Sequence, residues 1–333
     1  MPNPRSSPSV PRSPLRRLFR ALCGASLLVS ASVWAQGSAL HLLVGFPPGG
    51  GTDAIARTLG DKLKDVLGNP VLVENRAGAG GQIASQALKA AVPDGNTVFL
   101  THDHAISILP QVLKNPGYDP SRDFVPVAGI ATFVNAFALS GGTPAKTLPA
   151  YLAWVKNQGG GKGNVGVPAP ASVPEFLVQV MAKKYALDLQ AAPYRGGAPM
   201  MADMLGNQIG AGVASVPDFI ENHRAGKLQV VAVMGAKRQA ILPDVPTFAE
   251  LGLAGFEEVA YYGLFAPAAT PRAALDRLSD ALAKVLAMPD VKERLTHMGL
   301  SVGFMTGAQL ASREQAYTRV WGRIIQSSGF VAQ

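Results

Sequence analysis

Two apolar patterns take turns along this chain. Leu40–Phe46 reads as a buried strand, because a short and mostly apolar run stops at Pro47-Pro48. Thr52–Leu67 reads as a helix, with Ile55, Leu59, Leu63 and Val66 on one stripe. Val71–Glu74 follows as a strand, Gly81–Ala91 as a helix and Thr97–Thr101 as a strand. This βαβαβ order predicts an α/β protein with a mostly parallel sheet and helices on its faces. A second unit comes next. Helices are predicted at Leu148–Val155 and Pro174–Tyr185, and strands at Asn164–Val167 and Leu228–Met234. Met200–Leu205 is a short helix whose methionines suit core filling. Two helices close the chain, one with Leu275, Leu278, Leu282 and Val285 on a face, the other with Leu310, Tyr317, Trp321 and Ile324. Phe133–Leu139 and Tyr261–Ala266 are placed to cross between the units. The expected division is a discontinuous first domain, residues 36–139 plus 262–333, and a second domain of residues 140–261. Gly159-Gly160-Gly161 reads as a surface turn.

The total of 333 residues suits two domains of about 150 residues each. Its beginning is a different object. Residues 1–20 hold Arg5, Arg12, Arg16, Arg17 and Arg20 with no acid, and an apolar stretch from Ala21 to Val33 follows. With the small residues Val33 and Ala35, residues 1–35 read as a secretory signal peptide, its apolar part too short to span a bilayer. Arg16-Arg17-Leu18-Phe19 also fits a twin-arginine signal, so both export routes stay open. The leader changes the charge. The whole chain carries 30 basic and 22 acidic residues, a net +8. Without those five arginines the balance is 25 − 22 = +3. No basic run with interleaved aromatics remains, which argues against nucleic acid. The only cysteine, Cys23, lies in the leader, so no disulfide, thiol nucleophile or cysteine-ligated metal is expected.

The informative loops follow strands. Phe46-Pro47-Pro48-Gly49-Gly50-Gly51-Thr52-Asp53 joins a strand to a helix start. Its glycines let backbone approach a ligand, and the first helical N–H groups lack internal partners, so the loop suits an anion. Asp53 would repel a carboxylate set directly against it, and reads as a helix-start group or as an acceptor for a ligand amine. Gly78-Ala79-Gly80 invites a dinucleotide reading, but the third glycine of that fingerprint falls on Ile83. Arg76 pairs with an anion or with Glu74 or Asp94. Pro168-Ala169-Pro170-Ala171-Ser172 leads into a helix that Ser172 and Glu175 cap. Two opposed helix starts would grip a carboxylate without a buried cation. Thr101-His102-Asp103-His104 ends a strand; its two histidines lack the further ligands a metal needs, and Thr101 and Asp103 are candidate cleft groups. No G-x-S-x-G, Walker A or H-E-x-x-H signature occurs.

Taken jointly, these stretches resemble the Bug-type solute receptors of tripartite tricarboxylate transporters. The resemblance rests on Val44-Gly45-Phe46-Pro47-Pro48-Gly49-Gly50-Gly51-Thr52-Asp53, Val73-Glu74-Asn75-Arg76-Ala77-Gly78-Ala79-Gly80-Gly81, Pro93-Asp94-Gly95-Asn96-Thr97, Pro193-Tyr194-Arg195-Gly196-Gly197-Ala198-Pro199, Leu242-Pro243-Asp244-Val245-Pro246-Thr247 and Tyr262-Gly263-Leu264-Phe265-Ala266-Pro267. It implies a type II periplasmic-binding-protein fold, two α/β lobes with a hinge. It also implies a small carboxylate ligand, membrane permease subunits as partners, a periplasmic location, a monomer, and no cofactor or catalysis. The implied ligand positions are Phe46, Pro48, Gly49, Gly50, Gly51, Thr52, Asp53, Thr101, Asp103, His104, Ala169, Ala171, Ser172, Tyr194 and Tyr262. The alternatives are an exported enzyme using Asp53 or Asp103, and a sensory receptor. Three departures mark this chain: few hydroxyls in Pro168–Ser172, an acidic Asp103, and Ala214 or Ser215 where relatives carry Asp or Asn.

Overall fold

The computed structural model describes residues 38–158, 162–327 and 330–332; the expected leader and the Gly159–Gly161 turn lie outside them. Strand β1 (Leu40–Val44) feeds helix α1 (Gly51–Leu67). Ile55, Ala56, Leu59 and Leu63 are buried along one face of α1, and Gly68 ends the helix in the left-handed conformation that suits glycine. β2 (Val71–Asn75), α2 (Gln82–Lys89) and β3 (Thr97–His102) complete the βαβαβ unit. A single π-turn, His104–Ile108, follows β3 directly. β4 (Phe124–Phe133) and β5 (Asn135–Ser140) are separated only by Val134.

The chain continues through α3 (Leu148–Gln158), β6 (Lys162–Val167), α4 (Val173–Tyr185), β7 (Asp188–Pro193), α5 (Gly197–Leu205), β8 (Ala211–Ser215), α6 (Val216–Arg224) and β9 (Leu228–Val233). Met200, Met201 and Met204 of α5 are buried, as core filling requires. β10 (Ala260–Pro267), α7 (Arg272–Ala287), α8 (Pro289–His297), β11 (Ser301–Thr306) and α9 (Gly307–Ser327) follow.

Two sheets result, ordered β11-β4-β10-β3-β1-β2 and β7-β6-β8-β5-β9. The parallel expectation holds for β2-β1-β3 and for β7-β6-β8. β10 and β5 run antiparallel to their neighbours, because each returns from the other sheet and enters from the opposite end. The expected first domain kept residues up to 139, yet Asn135–Ser140 hydrogen-bonds within the second sheet only, so the chain changes sheet at Val134. Ala260 likewise pairs with Phe133 in the first sheet, two residues before the expected boundary.

α9 belongs to the first sheet through β4 but also reaches the second lobe. Its Trp321 ring lies 6.5 Å from Phe176 of α4, 6.4 Å from Phe256 and 6.1 Å from Tyr317, and is 1% exposed.

Candidate functional site

The loops that leave the two sheets surround one cleft of about 610 Å³, mouth included. From the first sheet come Phe46, Pro47, Gly50, Gly51, Thr52, His102, Asp103, His104 and Tyr262. From the second come Pro168, Ala169, Ser172, Val173, Pro174, Gly197, Ser215 and Asp218, with Phe133 and Asn135 at the crossover. The starts of α1, α4, α5 and α6 therefore meet here, each bringing the positive end of its dipole.

Asp53 is not on the wall. Its Oδ2 accepts from Gly49 N at 3.0 Å and Arg57 Nε at 3.0 Å, and its Oδ1 from Arg57 Nη2 and Asn75 Nδ2, both at 2.9 Å. Burial raises its pKa, but Arg57, the Gly49 amide and Asn75 together hold it below the usual carboxylate value. Asn75 Nδ2 also donates to Phe46 O at 3.0 Å, so this cluster fixes the Phe46–Gly50 loop against β2.

The carboxylate at the α1 start comes instead from the other lobe. Asp218 Oδ1 accepts from Gly51 N at 2.9 Å, and its Oδ2 from Ser215 Oγ. A Cβ on Gly197 would lie 2.5 Å from Asp218 Oδ1, so only glycine admits this approach. The lobes also touch at Gly196, where a Cβ would sit 2.7 Å from Pro47 Cδ.

Aromatic rings form one side of the cleft. His102 stacks on Phe46 at 5.1 Å and meets the edges of Phe133 and Tyr262 at 5.7 and 5.4 Å. Tyr262 Oη lies 3.3 Å from Thr52 Oγ1. Burial, then the Asp218 charge, push the Tyr262 phenol far above its ordinary value, so its hydroxyl stays neutral. Asp103 accepts from Tyr317 Oη at 2.8 Å and faces His102 Nδ1 at 3.2 Å.

His104 is 5% exposed, and neither ring nitrogen has a partner. A Cβ on Gly80 would lie 2.5 Å from His104 Nε2, which gives the Gly78–Gly81 loop a steric reason for glycine. Burial above all, with a contribution from His102 and partial opposition from Asp103, drops its pKa from 6.5 to about 4. Between those values the unfolded chain takes up a proton that the folded protein refuses. Stability contributed by the neutral ring is present above pH 6.5 and is lost as pH falls toward 4. His104→Gln should flatten that loss, on the order of 2 kcal/mol, in urea midpoints taken from pH 7.5 to 4.5. An unchanged pH profile would mean that the imidazole is solvated.

The third loop is held by itself. Ser172 Oγ donates to Ala169 O at 2.7 Å and accepts from Glu175 N at 3.4 Å, while Glu175 Oε2 accepts from Ala171 N at 2.7 Å. The reciprocal bond of the expected capping box thus goes to the residue before the cap. Ala171 adopts φ +48 and is off the wall. Tyr194 is also off the wall, donating to Asp203 Oδ2 at 2.7 Å within its own lobe. Pro48, Gly49 and Thr101 do not reach the cleft surface either. Arg76 pairs with Glu74 at 2.9 Å. Of the sequence-derived positions, Phe46, Gly50, Gly51, Thr52, Asp103, His104, Ala169, Ser172 and Tyr262 are brought together. Sequence reading passed over Asp218, Gly197, Asn135 and Phe133, although Ser215-Val216-Pro217-Asp218 carries the same strand-end, helix-start signature as the loops it selected.

Two α/β lobes around a cleft ringed by helix starts define a two-lobed solute-binding protein. Residues 55–330 match the tripartite tricarboxylate transporter family receptor, and the chain belongs to that family. Among solved structures it is similar to the periplasmic binding protein BugD, 29% identical with a TM-score of 0.83, covering 89% of this chain and 99% of that one. It is similar to MatC from Rhodopseudomonas palustris with bound malate, 27% identical, TM-score 0.79, covering 86% and 98%. It is also similar to R. palustris Rpa4515 with adipate, 25% identical, TM-score 0.83, covering 89% and 99%.

Proposed function

We propose that this receptor works in the periplasm, closes on one small organic acid in the cleft just described, and delivers it to the membrane components of a tripartite tricarboxylate transporter. The observation that carries the reading is the convergence of four helix starts from both lobes on one cavity. Amides and dipoles of that kind hold a carboxylate without a buried cation. Malate and adipate in related structures point to the same ligand class. The lobes are residues 36–134 plus 260–333 and residues 135–259, and closure is a hinge motion about the crossings. Residues 1–35 act as the signal peptide, by either export route, and the receptor is a monomer. It performs no catalysis: Asp53 is saturated by Arg57, Asn75 and Gly49, and Asp103 is engaged on one oxygen by Tyr317 and faces His102 with the other.

A thermal-shift screen of the purified protein against organic acids tests this. A ligand bound only by the folded state adds about 2.7 kcal/mol at a hundredfold excess over Kd, so one acid class should raise Tm clearly. Flat melting temperatures across the panel, or turnover of an acid, would overturn the receptor reading.

A further inference from the structure

The charges on the cleft wall do not match a ligand that is only an anion. Asp103 and Asp218 both face the cavity, and among the described residues no lysine or arginine lines it. Arg57 is tied to Asp53 and Asn75, and Arg195, beside Gly196 in the chain, is exposed and off the wall. Asp218 is placed at the seam between the lobes by Gly51 N and Ser215 Oγ, one donor to each oxygen. A carboxylate has about four lone-pair directions, so each oxygen keeps acceptor capacity. Because Asp218 already occupies the start of α1 and lies against Gly197 at the start of α5, the ligand's own carboxylate is directed to the start of α4 and to His104, whose buried nitrogens are unpartnered. A dicarboxylate spanning the cleft would then bring its second charge against Asp218.

Resting on the reading that this cavity is the ligand site, we infer that the ligand is a carboxylic acid bearing an ammonium group and that Asp218 receives the ammonium. Asp218 is the specificity-determining residue of this cleft, and it selects against dicarboxylates.

Calorimetric titration of the purified protein tests this with matched probes: propionate, succinate and adipate beside alanine, 4-aminobutyrate and 6-aminohexanoate. At least one ammonium-bearing acid should bind about tenfold or more tighter than its partner, a difference of about 1.4 kcal/mol. Asp218→Asn keeps the shape and an acceptor for Gly51 N. It should weaken that ligand about tenfold and change the dicarboxylates less than about threefold, or tighten them. Preference for dicarboxylates in the parent protein, untouched by Asp218→Asn, would overturn the inference and leave the receptor reading standing. Equal weakening of every acid would reduce Asp218 to a cap joining the lobes and also overturn it. Binding of no acid of either kind would remove the receptor reading and this inference together.

Discussion

Gly196→Val should weaken ligand binding by about one to two orders of magnitude while the protein still folds. Gly196 sits at φ 117 and ψ 172 just before α5, in a region that is essentially glycine's alone. Valine there costs about 1–3 kcal/mol of backbone strain, which a domain stable by about 5–15 kcal/mol survives. The selective damage is across the cleft. The new Cβ would lie 2.7 Å from Pro47 Cδ on the opposite lobe, and that contact exists only while the lobes are together. Overpacking of this kind costs about 1–3 kcal/mol, and each 1.4 kcal/mol is tenfold in Kd. Titration of a bound acid beside a melting curve separates the two effects. Unchanged affinity in a folded Gly196→Val protein would mean that the lobe arrangement described here is not the one that holds ligand.

Trp321→Ala should cause the largest loss of stability, about 3–5 kcal/mol, seen as a lower urea midpoint with little change in slope. The indole is 1% exposed and joins α9 to Phe176 on the second lobe and to Phe256 in the connection back. Its Nε1 is buried without a partner, so Trp321→Phe should recover most of the loss, because it removes that unpaired donor along with part of the ring. The alanine variant should also weaken binding, since α9 carries Tyr317, whose hydroxyl holds Asp103 at the cleft. A stability loss of less than about 1 kcal/mol would show that α9 rests on the second lobe without bracing it.

The sequence made β1, α1, β2, α2 and β3 legible because their apolar runs and stripes are continuous. β4, β8 and β11 stayed hidden. Ala211-Gly212-Val213-Ala214-Ser215 lacks bulk and Phe124–Phe133 is interrupted by Pro126 and Gly129, and both become strands through tertiary pairing. In the cleft, the rule that helix starts follow strand ends found two of the four helix starts, those of α1 and α4. It misassigned the acid. Asp53 is nearest in sequence to Gly51, but its neighbours Arg57 and Asn75 claim it, and the carboxylate that meets Gly51 N comes from 167 positions away. Tyr194 was misplaced for a similar reason. Its partner Asp203 lies on the next helix, where spacing says nothing about which way a phenol turns.

The place of β10 in its sheet also governs when the fold can form. Residues 260–267 lie between β3 and β4, so the centre of the first lobe is supplied by the last third of the chain. During synthesis at about 5–20 residues per second, β1 to β4 wait many seconds for the strand that joins them. Contacts so distant in sequence form slowly. A nascent chain of this design lacks a finished first lobe until Pro267 has been made, whereas the strands of the second sheet, β5 to β9, are all in hand by Val233.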